Sequence, residues 1–328
     1  MEISVVVPTY NRCRIVLRTL ETLFAQTVSP SRFELVVVVD GSTDDTAVAL
    51  KKLHPACGFQ IIEQENRGLA GARNSGYKTA QSELILFLDD DMLCDPELLE
   101  AHLDAHKEMQ DIAGFGAIFL SPESPPSLAA QCFNREIGSS HIRRKANPNL
   151  AWELRECIFS NTSLLRRKLE SLEGFDEAFR MREDLEFGIR LFQTNTRPLP
   201  IPRATAYQYY NKTHMDLIRD AKAFAEADFL LAQKHPKTKI DGHLSSVDIE
   251  HNWKHAARSL AARNPRLAEW ILRPICNVSE LLYPIPAFQN LGVRTLQGRR
   301  RIHWLHRMRE LQMSAERNPH PHNLSIER

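Results

Sequence analysis

Three carboxylates in a row, Asp89-Asp90-Asp91, follow directly on the apolar run Leu84 to Leu88. Acids packed at the end of a buried strand repel one another unless a cation joins them. Mg²⁺ and Mn²⁺ prefer carboxylate oxygens and keep several waters that a diphosphate can replace. The competing reading is a solvated acidic turn that leads into the next helix, with Asp95 as its N-cap and Pro96 at its first position. A single acid, Asp40, ends a second apolar run, Leu35 to Val39. It suits either hydrogen bonding to a base or ribose edge or capping of the following helix. The Gly-rich stretch NRGLAGARNSG (Asn66 to Gly76) approaches a helix N-terminus with Arg67 and Arg73 available to phosphates. It is not the dinucleotide GxGxxG fingerprint. Farther on, REDLEF holds Glu183, Asp184 and Glu186. One of these carboxylates could take a proton from an attacking hydroxyl. Alternatively, all three charge the first turn of a helix whose apolar face includes Leu185, Ile189 and Phe192.

The elements that must position these residues follow from hydrophobic patterning. Ile3 to Val7, Leu35 to Val39, Gln60 to Ile62 and Leu84 to Leu88 read as short strands, the longer ones apolar on both faces. Helical spacing fills the gaps over Arg14 to Gln26, Asp44 to Leu53 and Ala70 to Ala80. Strands alternating with helices predict an α/β fold, a Rossmann-like, mostly parallel sheet with helices on both faces. Ligands of such sheets bind outside the carboxyl ends of the strands, where Pro8-Thr9-Tyr10-Asn11-Arg12, Asp40 and Asp89 to Asp91 all fall. Gly114 to Leu120 reads as one more strand. Ser121 to Leu150, rich in Pro, Ser and Asn, reads as a long irregular connection. Order returns near Cys157 and runs to about Tyr210. The pattern after His214 is helical, and the last residues, ERNPHPHNLSIER, read as disordered. The expected division is residues 1–210, with a ligand-binding half 1–120 and a second half 121–210, followed by a helical C-terminal region 211–328.

Composition excludes several classes. The 328 residues carry 42 basic and 41 acidic side chains, so no global field points to nucleic acid. Six scattered cysteines without a CxxC pair suit reduced thiols in a cytosolic protein better than a zinc knuckle or a disulfide framework. The N-terminus, MEISVVVP, reads as a first strand rather than a signal peptide, and no apolar run has the length of a membrane span. GRRRIHWLHRMREL (Gly298 to Leu311) places Trp304, Leu305, Met308 and Leu311 on one helical face with five arginines nearby. That segment suits peripheral contact with anionic lipid, docking on its own domain, or pairing in a dimer.

Taken together, SVVVPTYNR (Ser4 to Arg12), ELVVVVDGSTDDT (Glu34 to Thr46), NRGLAGARNSG, LILFLDDDM (Leu84 to Met92) and GFDEAFRMREDLEFGIRL (Gly174 to Leu191) resemble glycosyltransferase family 2 in order and spacing. The resemblance covers about residues 1 to 210 and implies the GT-A fold. It further implies an inverting transfer of sugar from a nucleoside-diphosphate sugar to an acceptor hydroxyl, assisted by a divalent metal, Mn²⁺ or Mg²⁺. A UDP-sugar is the default donor. The acceptor would be a glycan, glycolipid or small molecule. By the same resemblance Pro8, Tyr10 and Asp40 would hold the nucleotide base, Thr9 would belong to the same nucleotide-sugar site, and Arg12, Asn66, Gly68 and Arg73 would lie near ribose and diphosphate. Asp89 and Asp91 match the outer positions of a DxD motif, with Asp91 first and Asp89 second as metal ligands and Asp89 or Asp90 on the ribose. Asp184 matches the catalytic base, with Glu183 beside it. Many relatives carry a metal-binding histidine after the base, where this chain reads Ala206-Tyr207-Gln208-Tyr209-Tyr210. Gln208 and the off-register His214 are the alternatives for that place.

Two other classes share parts of this pattern. A sugar-nucleotide nucleotidyltransferase carries a Gly-rich basic loop after its first strand, and this chain has no glycine there. A non-catalytic nucleotide-sugar-binding module would not need acids at both Asp91 and Asp184.

Overall fold

The computed structural model describes residues 1–109, 111–147, 152–238, 258 and 260–317. By chain contacts it separates into two compact units, Met1–Pro125 with Phe133–Asn211, and Pro126–Cys132 with Lys212–Arg328.

The first unit is built on β1 (Ile3–Thr9), β2 (Phe33–Asp40), β3 (Gly58–Gln64) and β4 (Leu84–Leu88), all parallel to one another. Every residue of β1, β2 and β4 is buried. Their alternate residues enter two separate cores, one containing Ile3, Val5, Val7, Leu35 and Val37, the other Val6, Val36, Val38, Ile85 and Phe87. A pleated strand covered on both faces requires this division, and it explains why these runs lack polar alternation. Helices α1 (Cys13–Phe24), α2 (Thr46–Leu50) and α3 (Gly68–Thr79) return the chain between strands. α3 lies so close to the sheet that a Cβ at Gly76 would stand 2.2 Å from Val6 Cγ1.

Beyond β4 the direction changes. The full order is β3-β2-β1-β4-β7-β6-β8-β5, with β5 Met92–Cys94, β6 Ile112–Leu120, β7 Asn161–Leu165 and β8 Arg197–Gln208. β7 runs antiparallel to both β4 and β6, β8 is parallel to β6, and β5 is antiparallel to β8. The predicted α/β class with a mostly parallel sheet therefore holds.

Two expectations fail. The helix after the aspartates, α4 (Leu98–Glu108), begins after Pro96, and Asp95 does not cap it. The Asp95 N–H donates to Thr205 O, and the carbonyls of Asp95 and Pro96 accept from Gln26 Nε2 and Thr27 N. The Asp95 carbonyl also accepts from Leu98 N at 3.1 Å, and Gln26 Oε1 accepts from Leu99 N in the first turn, the role an Asp95 side chain would have had. The stretch 121–150 is largely helical rather than irregular, with α5 (Leu128–Phe133), a π-helical turn Asn134–Gly138 and α6 (Ser139–Ala146). Burial of Leu128, Ala129, Ala130 and Cys132 outweighs the Pro- and Ser-rich approach to this segment. Residues 148–150 lie outside the described residues.

The second unit contains α9 (His214–Lys234), α10 (Pro265–Leu281) and α11 (Pro286–Arg317), following α7 (Arg166–Ser171) and α8 (Glu183–Phe192) of the first. α9 opens on a capping box in which Thr213 and Asp216 satisfy each other's backbone N–H groups. The basic segment 298–311 lies within α11 and is an internal seam. Arg299, Arg300 and Arg301 are buried, and Arg299 pairs with Glu269 at 2.6 and 2.9 Å. Trp304 Nε1 donates to Asp228 at 2.8 Å, and the Arg301 guanidinium stacks 4.4 Å from the Trp304 ring. Of the three readings, docking on its own domain is the one realised, and these arginines are not at hand for lipid. The final residues 318–328 of the expected tail lie outside the described residues, while Glu316 and Arg317 are helical. Among the described residues no helix is long and apolar enough to cross a membrane.

Candidate active site

The carboxyl ends of β1 and β4 meet through hydrogen bonds. Thr9 Oγ1 donates to Asp90 Oδ2 at 2.7 Å, and Arg12 Nη1 donates to Asp90 Oδ1 at 2.7 Å. Arg12 Nη2 also reaches Asp91 Oδ2 at 3.1 Å. Gln208 Nε2, at the end of β8, lies 3.1 and 3.2 Å from the two Asp91 oxygens. Asp90 and Asp91 are both buried. Burial pushes Asp90 up to about 7 against the pull of Arg12, and it raises Asp91 in the same way. Thr9 thus commits its hydroxyl proton to Asp90 inside the fold, and Arg12 answers the charge of Asp90. Pro8 is buried in register with Val38, so neither Pro8 nor Thr9 presents a surface to a ligand. Tyr10, 48% exposed, does. Asn11 turns the chain there with φ +52°, and its Oδ1 accepts from Thr43 N at 2.7 Å, tying the β1 end to the loop after β2. Beside Arg12 a cleft of about 630 Å³ is lined by Arg12, Arg14, Arg18, Asp44, Tyr209 and Asn211, among others.

Asp40 is a cap, though not of the helix that follows it. Its Oδ1 accepts from Gln64 Nε2 at 2.6 Å and Arg67 N at 2.9 Å, and its Oδ2 accepts from Gly68 N at 2.8 Å. These are donors at the start of α3, which a carboxylate stabilises through both hydrogen bonding and the helix dipole. Asn66 Nδ2 closes the same corner on Asp40 O at 3.1 Å. Gly68 sits at φ +75°, a conformation that costs a side chain dearly. Asn66 and Arg67 are exposed at this corner.

Arg73 departs most from expectation. It is 1% exposed and faces no open anion site. Nη1 donates to Glu183 Oε1 at 2.8 Å, and Nη2 donates to Asp89 Oδ1 at 3.1 Å and to Phe159 O at 3.3 Å. The guanidinium carbon lies 5.5 Å from the Phe175 ring centroid. Two motifs that read separately in the sequence are therefore bound together. Asn74 exchanges hydrogen bonds with the backbone of Phe175 at 2.8 and 2.9 Å, Arg67 pairs with Glu177, and Arg73 pairs with Glu183. Ser160, which no motif marked, donates to Asp89 Oδ2 at 2.5 Å from the residue before β7.

α8 opens at Arg182, a non-glycine residue in the left-handed region at φ +67°. Strain of that kind concentrates at functional sites, and Glu183 and Asp184 follow it directly. Glu183 is buried on Arg73, and burial together with the neighbouring Asp184 pushes it up to about 7. Asp184 is the more open of the two, and its Oδ1 accepts from Leu185 N at 2.7 Å. Burial raises its pKa while Arg73 and Arg182 oppose the rise. Glu186 pairs with Arg190 at 2.7 Å and serves the helix itself.

Among the described residues no three His, Cys, Asp or Glu side chains converge as a metal cage. A cation that carries a diphosphate needs only one or two carboxylates, with phosphate oxygens and waters completing the shell. Asp91, at a strand end and adjoined by the Gln208 amide, fits that smaller requirement. His214 begins α9 in the second unit, where Arg299, Arg273 and Glu269 act on it, so Gln208 is the alternative found at Asp91.

Residues 4–172 match the family model described as Glycosyl transferase family 2. Validoxylamine A glucosyltransferase of Streptomyces hygroscopicus subsp. limoneus is 42% identical over 106 residues, 32% of this chain and 23% of that enzyme. The chain thus spans less than a quarter of that relative's length. A longer alignment, 24% identical over 248 residues, covers 71% of this chain and 74% of a dolichyl N-acetyl-α-D-glucosaminyl phosphate 3-β-D-2,3-diacetamido-2,3-dideoxy-β-D-glucuronosyltransferase of Methanococcus voltae. Among solved structures, the mannosyltransferase PcManGT of Pyrobaculum calidifontis, in complex with GDP-Man and Mn²⁺, superposes with a TM-score of 0.61 at 20% identity. That superposition covers 92% of this chain and 85% of PcManGT. S. aureus TarS 1–349 superposes at 0.56 and 19% identity over 98% of this chain and 93% of its own. The fold is that of the GT-A glycosyltransferases. The matched family region stops short of α8, so Glu183 and Asp184 rest on geometry and on the GFDEAF–REDLEF resemblance. With half of its 328 residues matched, from strand β1 through the aspartates to α7, this chain belongs to glycosyl transferase family 2.

Proposed function

We propose that the enzyme is a metal-dependent, inverting glycosyltransferase that moves a sugar from a nucleoside-diphosphate sugar to an acceptor hydroxyl, with Asp184 as the base. The observation that carries this reading is the buried Arg73 guanidinium, which ties Asp89 at the end of β4 to Glu183 in the first turn of α8. Donor-side and acceptor-side carboxylates thereby form one electrostatic cluster. Of the two acids that open α8, Glu183 is buried and Asp184 half-buried, so Asp184 is the one with a face left for a substrate.

In the proposed reaction the acceptor hydroxyl gives its proton to Asp184 as its oxygen bonds to the anomeric carbon. The bond from that carbon to the diphosphate oxygen breaks, and the centre inverts. Asp91, with the Gln208 amide beside it, would hold the cation; when bound, it neutralises the charge that develops on the leaving diphosphate. Arg12 and the arginine-lined cleft place further positive charge at that strand end. The exposed Tyr10 ring offers the nucleotide base a flat partner, while Asp40 positions Arg67 and Gly68 rather than lying open itself. The raised Asp184 pKa suits a base, since proton transfer is most efficient when the pKa of the base approaches the working pH.

Neighbours support the donor class. TarS was solved with UDP and with UDP-GlcNAc, and PcManGT with GDP-Man and Mn²⁺. A UDP-sugar is the first donor to test, against an acceptor glycan, glycolipid or small molecule. UDP-, GDP- and dTDP-sugars incubated with Mn²⁺ or Mg²⁺ should release nucleoside diphosphate for one base. Release of pyrophosphate from a nucleoside triphosphate and a sugar phosphate would instead indicate nucleotidyl transfer, and binding without turnover would indicate a non-catalytic module.

A further inference from the structure

α10 (Pro265–Leu281) has two unlike faces. Ala268, Leu272, Cys276 and Ser279 turn inward, with Ala268 and Leu272 packed among Ile302 and Leu305 of α11. At 100° per residue, Leu267, Trp270, Ile271, Pro274, Val278 and Leu281 fall in a separate arc of about 100°. This second stripe is open: Trp270 is 78% exposed, Leu281 81% and Leu267 53%. Isolated apolar residues on a surface need no explanation, but an unbroken helical stripe of this width marks an interaction surface.

Charge identifies what it meets. Arg266 and Arg273 border one side of the stripe, Arg263 stands just ahead of the helix, and all three are exposed. None of them forms an ion pair among the described residues. The helix's two carboxylates face inward: Glu269 is held by Arg299 and His303, and Glu280 accepts from Leu128 N. A cationic border without an exposed acid does not complement itself, so pairing with a second copy would bring arginines together with nothing to answer them. It does complement an anionic lipid surface. A tryptophan in the apolar stripe and arginines at its margin are what the headgroup region accommodates.

We propose that α10 is a peripheral membrane contact, with Leu267, Trp270, Ile271, Val278 and Leu281 entering the headgroup–acyl boundary of an anionic bilayer and Arg266 and Arg273 at its phosphates. This differs from the basic segment 298–311, whose Arg299, Arg300 and Arg301 are buried. It does not depend on the reading of the active site, because it rests on the surface of the helical unit alone.

The full-length protein should float with vesicles of phosphatidylglycerol and phosphatidylcholine and remain behind with phosphatidylcholine alone. High salt should weaken the binding, as expected for screened charges. Arg266→Gln with Arg273→Gln should lower partitioning about thirtyfold, each arginine near an anionic surface contributing about fivefold. Trp270→Glu with Ile271→Glu should abolish flotation. All four positions are exposed, so unchanged thermal melts will verify folding. Trp270 fluorescence, taken as the difference from Trp270→Phe, should shift to the blue on vesicle binding. Equal flotation with neutral and anionic vesicles, or none with either, overturns the proposal. So does a concentration-dependent dimer that Trp270→Glu with Ile271→Glu dissociates while vesicles leave the parent untouched.

Discussion

Replacing Arg73 with Met keeps most of the buried volume of the side chain and removes its charge. The guanidinium is 1% exposed and holds two carboxylates at 2.8 and 3.1 Å. Removing one partner of a buried ion pair typically costs about 3–5 kcal/mol, chiefly because a charge is left buried and unanswered. Here Glu183 bears that cost, since its side chain is 6% exposed whereas that of Asp89 is 23% exposed and can take up water. In a unit of about 200 residues this loss corresponds to a Tm lower by about 6–20 °C. The pH dependence has a definite sign. Glu183 already lies up to about 7 in the native protein, against an ordinary value of 4.5, with Arg73 holding it down. Without Arg73 its native pKa climbs further. Both native proteins hold the Glu183 proton up to about pH 7 and only the variant holds it beyond, so the deficit against the parent is flat below about pH 7 and grows from there toward pH 8. Adding Glu183→Gln to Arg73→Met should recover about half of the loss, because the unanswered charge is gone. Thermal melts of the parent, both single variants and the double variant at pH 5 and pH 8 measure all of this. A single-variant loss under about 1 kcal/mol, a deficit that does not depend on pH, or strict additivity in the double variant would refute the hub.

Three further outcomes follow. Asp40→Ala removes the acceptor for Arg67 N and Gly68 N, charge-assisted bonds worth about 1.5–3 kcal/mol, so the Tm of the ligand-free protein should fall. An unchanged melt would mean that α3 does not need this cap. Asp91→Ala should abolish the metal-dependent part of nucleoside diphosphate binding and nearly all turnover; full activity in excess chelator would exclude the metal role. Burial pushes His102 and His106, bonded to Ser163, down to about 4. Between about pH 6.5 and 4 the unfolded chain binds protons that the native protein refuses, so these two residues lower stability as pH falls through that window. Melts against pH should be steeper for the parent than for His102→Leu with His106→Leu, and equal slopes would show that the pair titrates normally.

The parallel half of the fold was legible because its strands are covered on both faces and spell themselves as unbroken β-branched runs. The helices over 128–146 were not, since Pro and Ser dominate their approach and only tertiary burial of Leu128 to Cys132 reveals them. For the same reason the start of α4 was misplaced: Gln26, far away in sequence, supplies its acceptor. In the site, the sequence named the residues while their partners stayed hidden. Asp40 read as an acceptor for a base or a helix, and the helix proved to be α3, which strand order brings alongside. Arg73 read as a cation for an anion, and the anions are the protein's own Asp89 and Glu183. No local pattern could mark Ser160, and Asn74 stood in a marked stretch without a role, because both roles depend on what the fold sets opposite them.

The central claim is that the first turn of α8 performs the chemistry while the strand ends bind the donor. It is tested most directly by the turnover and donor affinity of Asp184→Asn. Asparagine preserves the size of the side chain and its acceptor oxygen but cannot take the acceptor's proton, a function worth about 10²–10⁴-fold. With donor and metal saturating, kcat should fall at least about a hundredfold while the donor dissociation constant stays within about twofold of the parent's, the pattern of an interaction made chiefly in the transition state. A variant that keeps more than about a tenth of the parental kcat, or one that loses donor binding instead, would contradict the assignment of Asp184 as the base.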